Sequence, residues 1–166
     1  MSADNTQLAS VRIVEVGEQS GEHWGGASVE ALRDLLRDMQ SALRIASGDN
    51  YTFDDLDRWE IDPERELSDD DRKEALYECL SWWALDVEVC RTQSLGVDDG
   101  PGEIDRVSAL LGCGGPTIWL ELDLTDGVRL RRSWAGDKSD AVSATQAAID
   151  LASDFFELAF ALELDR

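Results

Sequence analysis

The chain is poor in the residues from which most chemical centres are built. Histidine occurs once, as His23 between Glu22 and Trp24. Zinc centres draw on several His or Cys ligands, so this histidine reads as a loop residue. The three cysteines, Cys79, Cys90 and Cys113, are an odd set without paired-ligand spacing. They read as free thiols of a cytoplasmic protein rather than as a disulfide framework. No apolar run approaches the ~20 residues needed to cross a bilayer, and the first ten residues are polar, unlike a signal peptide. Lysine is confined to Lys73 and Lys138, leaving arginine to carry the positive charge.

What the chain has in excess is negative charge. There are 36 acidic residues against 15 basic ones, a formal net charge of -21. That balance repels DNA, RNA and anionic membranes, so the long-range partner is a cation: a metal ion or a basic protein surface. The arginine and aspartate bias also fits a salt-adapted or GC-rich source, in which the acids form a solvated surface with no partner. A length of 166 residues and a hydrophobic fraction of 43% suit one domain, residues 1–166, with one core.

The alternation at Val11, Ile13, Val14 and Val16 predicts a short strand, followed by a turn-rich loop from Gly17 to Gly26. Val29, Leu32, Leu36, Met39 and Leu43 recur at spacings of 3, 4, 3 and 4, one stripe of a helix. Ser28 is its expected N-cap and Gly48 its C-terminal stop. Residues 49–71 then hold eleven acids and two arginines, yet also Tyr51, Phe53, Leu56, Trp59, Ile61 and Leu67. A disordered linker lacks such side chains, so this stretch reads as an acidic connection pinned by its apolar residues. Ser68 and Asp71 predict a capping box for a helix carrying Leu76, Cys79, Leu80 and Trp83 on one face.

Strand patterns follow at Val87–Val89, Val107–Leu111, Ile118–Leu124 and Val128–Arg132, with a loop at Gly96–Gly102 and a break at Gly112–Pro116. A hairpin loop Thr125-Asp126-Gly127 sets Leu122 opposite Leu130, Asp123 opposite Arg129 and Glu121 opposite Arg131. A last helix is expected from about Asp140 to Leu162, with Val142, Ile149, Ala152, Phe156 and Ala159 inward. The expected class is α+β: an antiparallel meander of four to five strands with about three helices on one face.

No catalytic, cofactor-binding or metal site assembles from these residues. Asp54, Asp55, Asp57 and Asp62 lack the glycine and the terminal bidentate glutamate of an EF-hand loop. Cys113 in Gly112-Cys113-Gly114-Gly115-Pro116 has no base in reach of the sequence, and the run lacks the Lys-Ser/Thr end of a phosphate loop. An enzyme is not expected. Among the six tryptophans, Trp83 and Trp134 fall on core faces, Trp119 on the face of Glu121 and Asp123, and Trp59 among acids. An aromatic amid acids is a way to anchor an arginine-rich surface.

The run Leu110-Leu111-Gly112-Cys113-Gly114-Gly115-Pro116, then Leu120-Glu121-Leu122-Asp123 and Trp134-Ala135-Gly136, resembles a group of small acidic proteins borne on plasmids and phages. They share a Leu-Leu-x-x-Gly-Gly-Pro turn, a Glu-Leu-Asp hairpin and an aromatic-Gly end. The likeness covers about a third of the chain, with Ser81 to Arg91 fitting the group's helix-to-strand join. The group's following Thr-Pro-Trp is absent here, its aromatic C-terminus survives only as Phe155-Phe156 and Phe160, and the half through Gly48 has no counterpart. The resemblance implies a mobile-element accessory role, with anti-restriction or anti-CRISPR counter-defence among the roles it allows.

The expected function is therefore an inhibitor that engages a basic, nucleic-acid-binding protein by imitating DNA. Its expected partner-binding residues are Asp54, Asp55, Asp57, Trp59, Glu60, Asp62, Asp69, Asp70, Asp71 and Trp119, with Asp150, Asp154 and Glu157 as a second patch. An immunity protein or antitoxin that neutralises a basic toxin is the alternative, and a structural or assembly protein with a solvated acidic surface is a third.

Overall fold

The apolar alternation from Ile104 onward is realised as consecutive antiparallel strands, because each strand has one face to bury and a short turn behind it. The computed structural model describes residues 11–14, 25–92 and 102–164. Its elements are β1 (Val11–Val14), α1 (Gly25–Ser47), α2 (Phe53–Arg58), α3 (Asp69–Ser81), β2 (Asp86–Arg91), β3 (Ile104–Gly112), β4 (Thr117–Asp123), β5 (Gly127–Trp134), β6 (Asp137–Ser143) and α4 (Gln146–Phe160). The sheet has six strands in the order β1-β6-β5-β4-β3-β2, and every neighbouring pair is antiparallel. So β2 to β6 form the meander, and β1 returns to its far side. The α+β class holds. His23, Trp24, Val16 and most of the Gly17–Gly26 and Gly96–Gly102 loops lie outside the described residues.

The helices cover one sheet face. Val107, Ala109, Leu120, Leu122, Val128, Leu130 and Ala141 from the strands share one buried cluster with Leu32, Leu36 and Met39 of α1 and Phe155 and Phe156 of α4. The α1 stripe is buried as its spacing predicts, except that Leu43 is only half-buried. Ser28 is not its N-cap. It sits inside the helix, buried, with its hydroxyl bonded to that of Ser139 on β6. Gly48 does end the helix, at φ 75°, with its N–H bonded to the Arg44 and Ile45 carbonyls.

Two strand expectations are corrected. Residues 137–143 are β6, not the start of the last helix; α4 begins only after Thr145, whose hydroxyl accepts from the Ala148 N–H. Val142 is therefore a strand residue. The β4–β5 hairpin keeps the predicted faces but shifts by two residues: Leu122 pairs with Val128, Leu120 with Leu130 and Glu121 with Arg129. The cause is local. Asp123 Oδ1 accepts from the Thr125 and Asp126 N–H groups, both at 2.9 Å, and Leu124 N–H turns to the Asp105 carbonyl of β3. The loop is thus Leu124-Thr125-Asp126.

Gly127 closes that loop at φ 116°, where a Cβ would lie 2.4 Å from the Ser143 carbonyl oxygen. Both the positive φ and the close approach require glycine. Gly127→Ala is expected to cost about 2–4 kcal/mol through strain and overpacking, measured as a lower urea midpoint.

Candidate functional site

The acidic connection is ordered by two capping boxes. Thr52 caps α2, with its side chain accepting from Asp55 N and the Asp55 carboxylate accepting from the Thr52 N–H at 2.8 Å. Ser68 caps α3 in the same way with Asp71, as its sequence predicts. Leu56, Trp59 and Ile61 are buried beneath, and both helices pack on α1.

This corrects two of the expected binding residues. Asp55 is buried, not displayed. Burial pushes its carboxyl up, but the Thr52 N–H and hydroxyl and the Arg44 guanidinium at 3.4 Å more than offset that, holding it below the usual range. Trp59 is no anchor either: its ring is 6% exposed, its Nε1 donates to the Asp38 carbonyl at 3.1 Å, and it stacks toward Phe155. Asp55→Asn is expected to cost about 1.5–3 kcal/mol at pH 7, as for a hydrogen bond to a charged group. A depressed folded pKa stabilises above the unfolded value of about 3.9 and stops doing so as pH falls through the folded value. The gap between native and variant urea midpoints should therefore be full at pH 7 and close toward pH 3.

The remaining acids form the exposed layer. Asp54, Asp57, Glu60, Asp62 and Asp70 are exposed as expected. Asp69 is exposed too, but it accepts from the Tyr51 hydroxyl and pairs with Arg72 at 3.1 Å. The exposed carboxylate of Asp71 is held by Ser68, whose hydroxyl and N–H lower its pKa. Unpredicted members join them: Glu74 and Glu78, which with Asp70 and Trp82 follow the outer side of α3 at a spacing of four residues. α2 and α3 meet at Cys79, whose thiol donates to the Trp59 carbonyl. Burial pushes that thiol up, and the charges of Glu60 and Glu78 add to the effect. Both helices carry an exposed acidic layer. Aromatics punctuate it: Phe53 is 73% exposed, Tyr77 49% and Trp82 82%. The signal for Trp82 was the i, i+4 series Asp70, Glu74, Glu78, Trp82 opposite the buried Leu76–Leu80 face.

The second patch is less free. Asp150 accepts from Gln146 at 2.9 Å, and Glu157 turns back to accept the Leu164 N–H; Asp154 is exposed. Trp119 lies half-buried on the open sheet face between Leu110 and Arg131. That face consumes its charges internally. Arg131 pairs with Glu121 at 3.1 Å and with Asp140 at 3.7 Å, Arg129 with Asp140 at 3.6 Å, and Arg106 with Asp123 at 3.7 Å, around a hollow of about 110 Å³.

Trp134 is not a core residue as expected. It is 49% exposed and lies over Gly115, beside an open hollow that reaches Lys138. Cys113 is exposed in the same turn, and no cluster of metal-ligating side chains occurs among the described residues. No helix among the described residues is long and apolar enough to cross a membrane. No protein-family model, curated protein or solved structure matches the chain.

Proposed function

We propose that this protein is an inhibitor that presents the carboxylates of α2 and α3 to a basic, nucleic-acid-binding protein and occupies the groove where that partner holds DNA or RNA. The distribution of charge carries the reading. The arginines of the open sheet face are neutralised in pairs, whereas Asp54, Asp57, Glu60, Asp70, Glu74 and Glu78 are exposed and form no ion pair among the described residues. A purely solvated acidic coat has no reason to set them beside exposed aromatic rings. Carboxylates four residues apart repel along a helix, and a row of guanidinium groups relieves that repulsion. Such a protein suits mobile-element counter-defence, the role the Gly-Gly-Pro resemblance implies.

The test is capture of partners on the tagged protein, washed at low salt and at about 1 M salt, where the Debye length is about 3 Å. The partner should leave at high salt and be displaced by duplex DNA. A partner that survives both washes, with Trp82 as its packed anchor, sinks the mimic and favours an immunity protein or antitoxin. Absence of any specific partner at either salt leaves the solvated acidic surface.

A further inference from the structure

The acidic layer leaves another feature unused. Among the described residues the exposed large apolar side chains include Tyr77, Trp82, Leu85 and Val89, all on the stretch of chain from α3 into β2. Leu85 is 60% exposed. β2 ends the sheet order: it is bonded to β3 on one side, no described strand lies on the other, and all its residues but Val87 are exposed. Proteins blunt such an edge with lysine, proline or a covering helix. β2, Asp-Val-Glu-Val-Cys-Arg, has neither residue, its one register irregularity falls at its end, between Cys90 and Arg91, and no helix packs extensively on it among the described residues. Successive side chains point to opposite faces. Leu85, Val87 and Val89 therefore share the side on which the helices lie, and Asp86 and Glu88 the open face.

We propose that the free edge of β2 receives an extended, basic segment of the partner protein as an added strand. Its Arg or Lys side chains face Asp86 and Glu88, and its alternate apolar side chains lie on Trp82, Leu85 and Val89. This rests on the reading of a basic partner and adds where, and in what conformation, the partner docks. Charge selects this occupant over a second copy of the chain. Two-fold pairing of β2 with itself sets Asp86 against Glu88 when centred on Val87 and Glu88 against itself when centred on Glu88, and like charges directly opposite destabilise a sheet. It also joins two molecules of charge -21 each. A basic strand replaces both repulsions with attraction.

The probe is an end-blocked peptide of about eight residues, the length of an ordinary strand, alternating arginine and valine. Its partner probe is the same peptide N-methylated at the alternate amides that would face β2. Binding and amide hydrogen exchange are read together. The unmodified peptide should slow exchange in residues 86–91, and N-methylation should weaken it at least about tenfold, or about 1.4 kcal/mol. Trp82→Ser, at a side chain too exposed to hold the fold, should weaken it similarly. Equal binding of both peptides, with protection over α2 and α3 instead, overturns the edge site while leaving the acidic-surface reading intact. Protection of β2 in a dimer without peptide assigns the edge to a second copy and overturns it too, as does no binding of either peptide. Failure of the acidic-surface reading shows separately, as partner capture indifferent to salt.

Discussion

Phe155→Ala is expected to remove about 3–5 kcal/mol of stability, the usual cost of emptying a large aromatic site. Phe155 is fully buried. Its ring meets Trp83 edge-on at 4.8 Å, and it lies 6.2 Å from both Trp59 and Phe156. It is thus the point at which α4, the α2 connection and the α3–β2 join converge. Aromatic pairs add about 0.5–1.5 kcal/mol beyond buried area, and here several are lost at once. The residues around the hole come from separate elements whose backbones are tied by other bonds, so little collapse can refill it. Domains of this size hold roughly 5–15 kcal/mol in total, so a large part of the stability should go. The urea midpoint should fall with an unchanged slope. Phe160→Ala, at a half-buried ring of the same cluster, should cost clearly less. A Phe155 variant within about 1 kcal/mol of the native protein would show that the aromatic cluster does not organise the acidic helices.

Local signals were legible where the chemistry is local. The 3-4-3-4 stripe of α1 and the Ser68–Asp71 box need only neighbouring residues, and the structure shows both. The matching box at Thr52–Asp55 was hidden, because one structural carboxylate among eleven acids looks like all the others. Trp59 was hidden for a different reason: its burial is long-range, with its ring against Phe155 and its Nε1 donating to the Asp38 carbonyl 21 residues away. β6 was illegible because its inward residues are Ser139, Ala141 and Ser143, small side chains that mark close approach rather than a strand. The Ser28–Ser139 bond shows how near α1 comes to the sheet there. The hairpin faces were readable from alternation, but the register depended on which backbone groups Asp123 satisfies. The outer stripe of α3 was the omission that mattered for the site. Glu74, Tyr77, Glu78 and Trp82 repeat with a helical period, but charged and aromatic residues on a wet helix face look the same in sequence whether or not they bind anything.

Converting Asp54, Asp57 and Asp70 to Asn and Glu60, Glu74 and Glu78 to Gln together should weaken the proposed complex with a basic partner about a thousandfold. Exposed ion pairs are worth about 0.2–1 kcal/mol each, and close pairs across an interface reach more. Six such pairs give roughly 4 kcal/mol, which is about three decades of affinity. The loss should appear mainly at low ionic strength, with the native and variant proteins converging as salt rises. The fold should survive. Glutamine matches glutamate in helix propensity, and the Asp70–Glu74–Glu78 repulsion disappears; the lost attraction of Asp70 to the α3 dipole is small. Thermal melting should confirm this before any binding is read. The decisive control neutralises Asp150 and Asp154 on α4 instead. If the partner feels only total charge, affinity should fall in proportion to the charges removed from either helix. If it reads the surface of α2 and α3, the α4 variant should bind nearly as the native protein does, and the expected second patch is a solvated helix face.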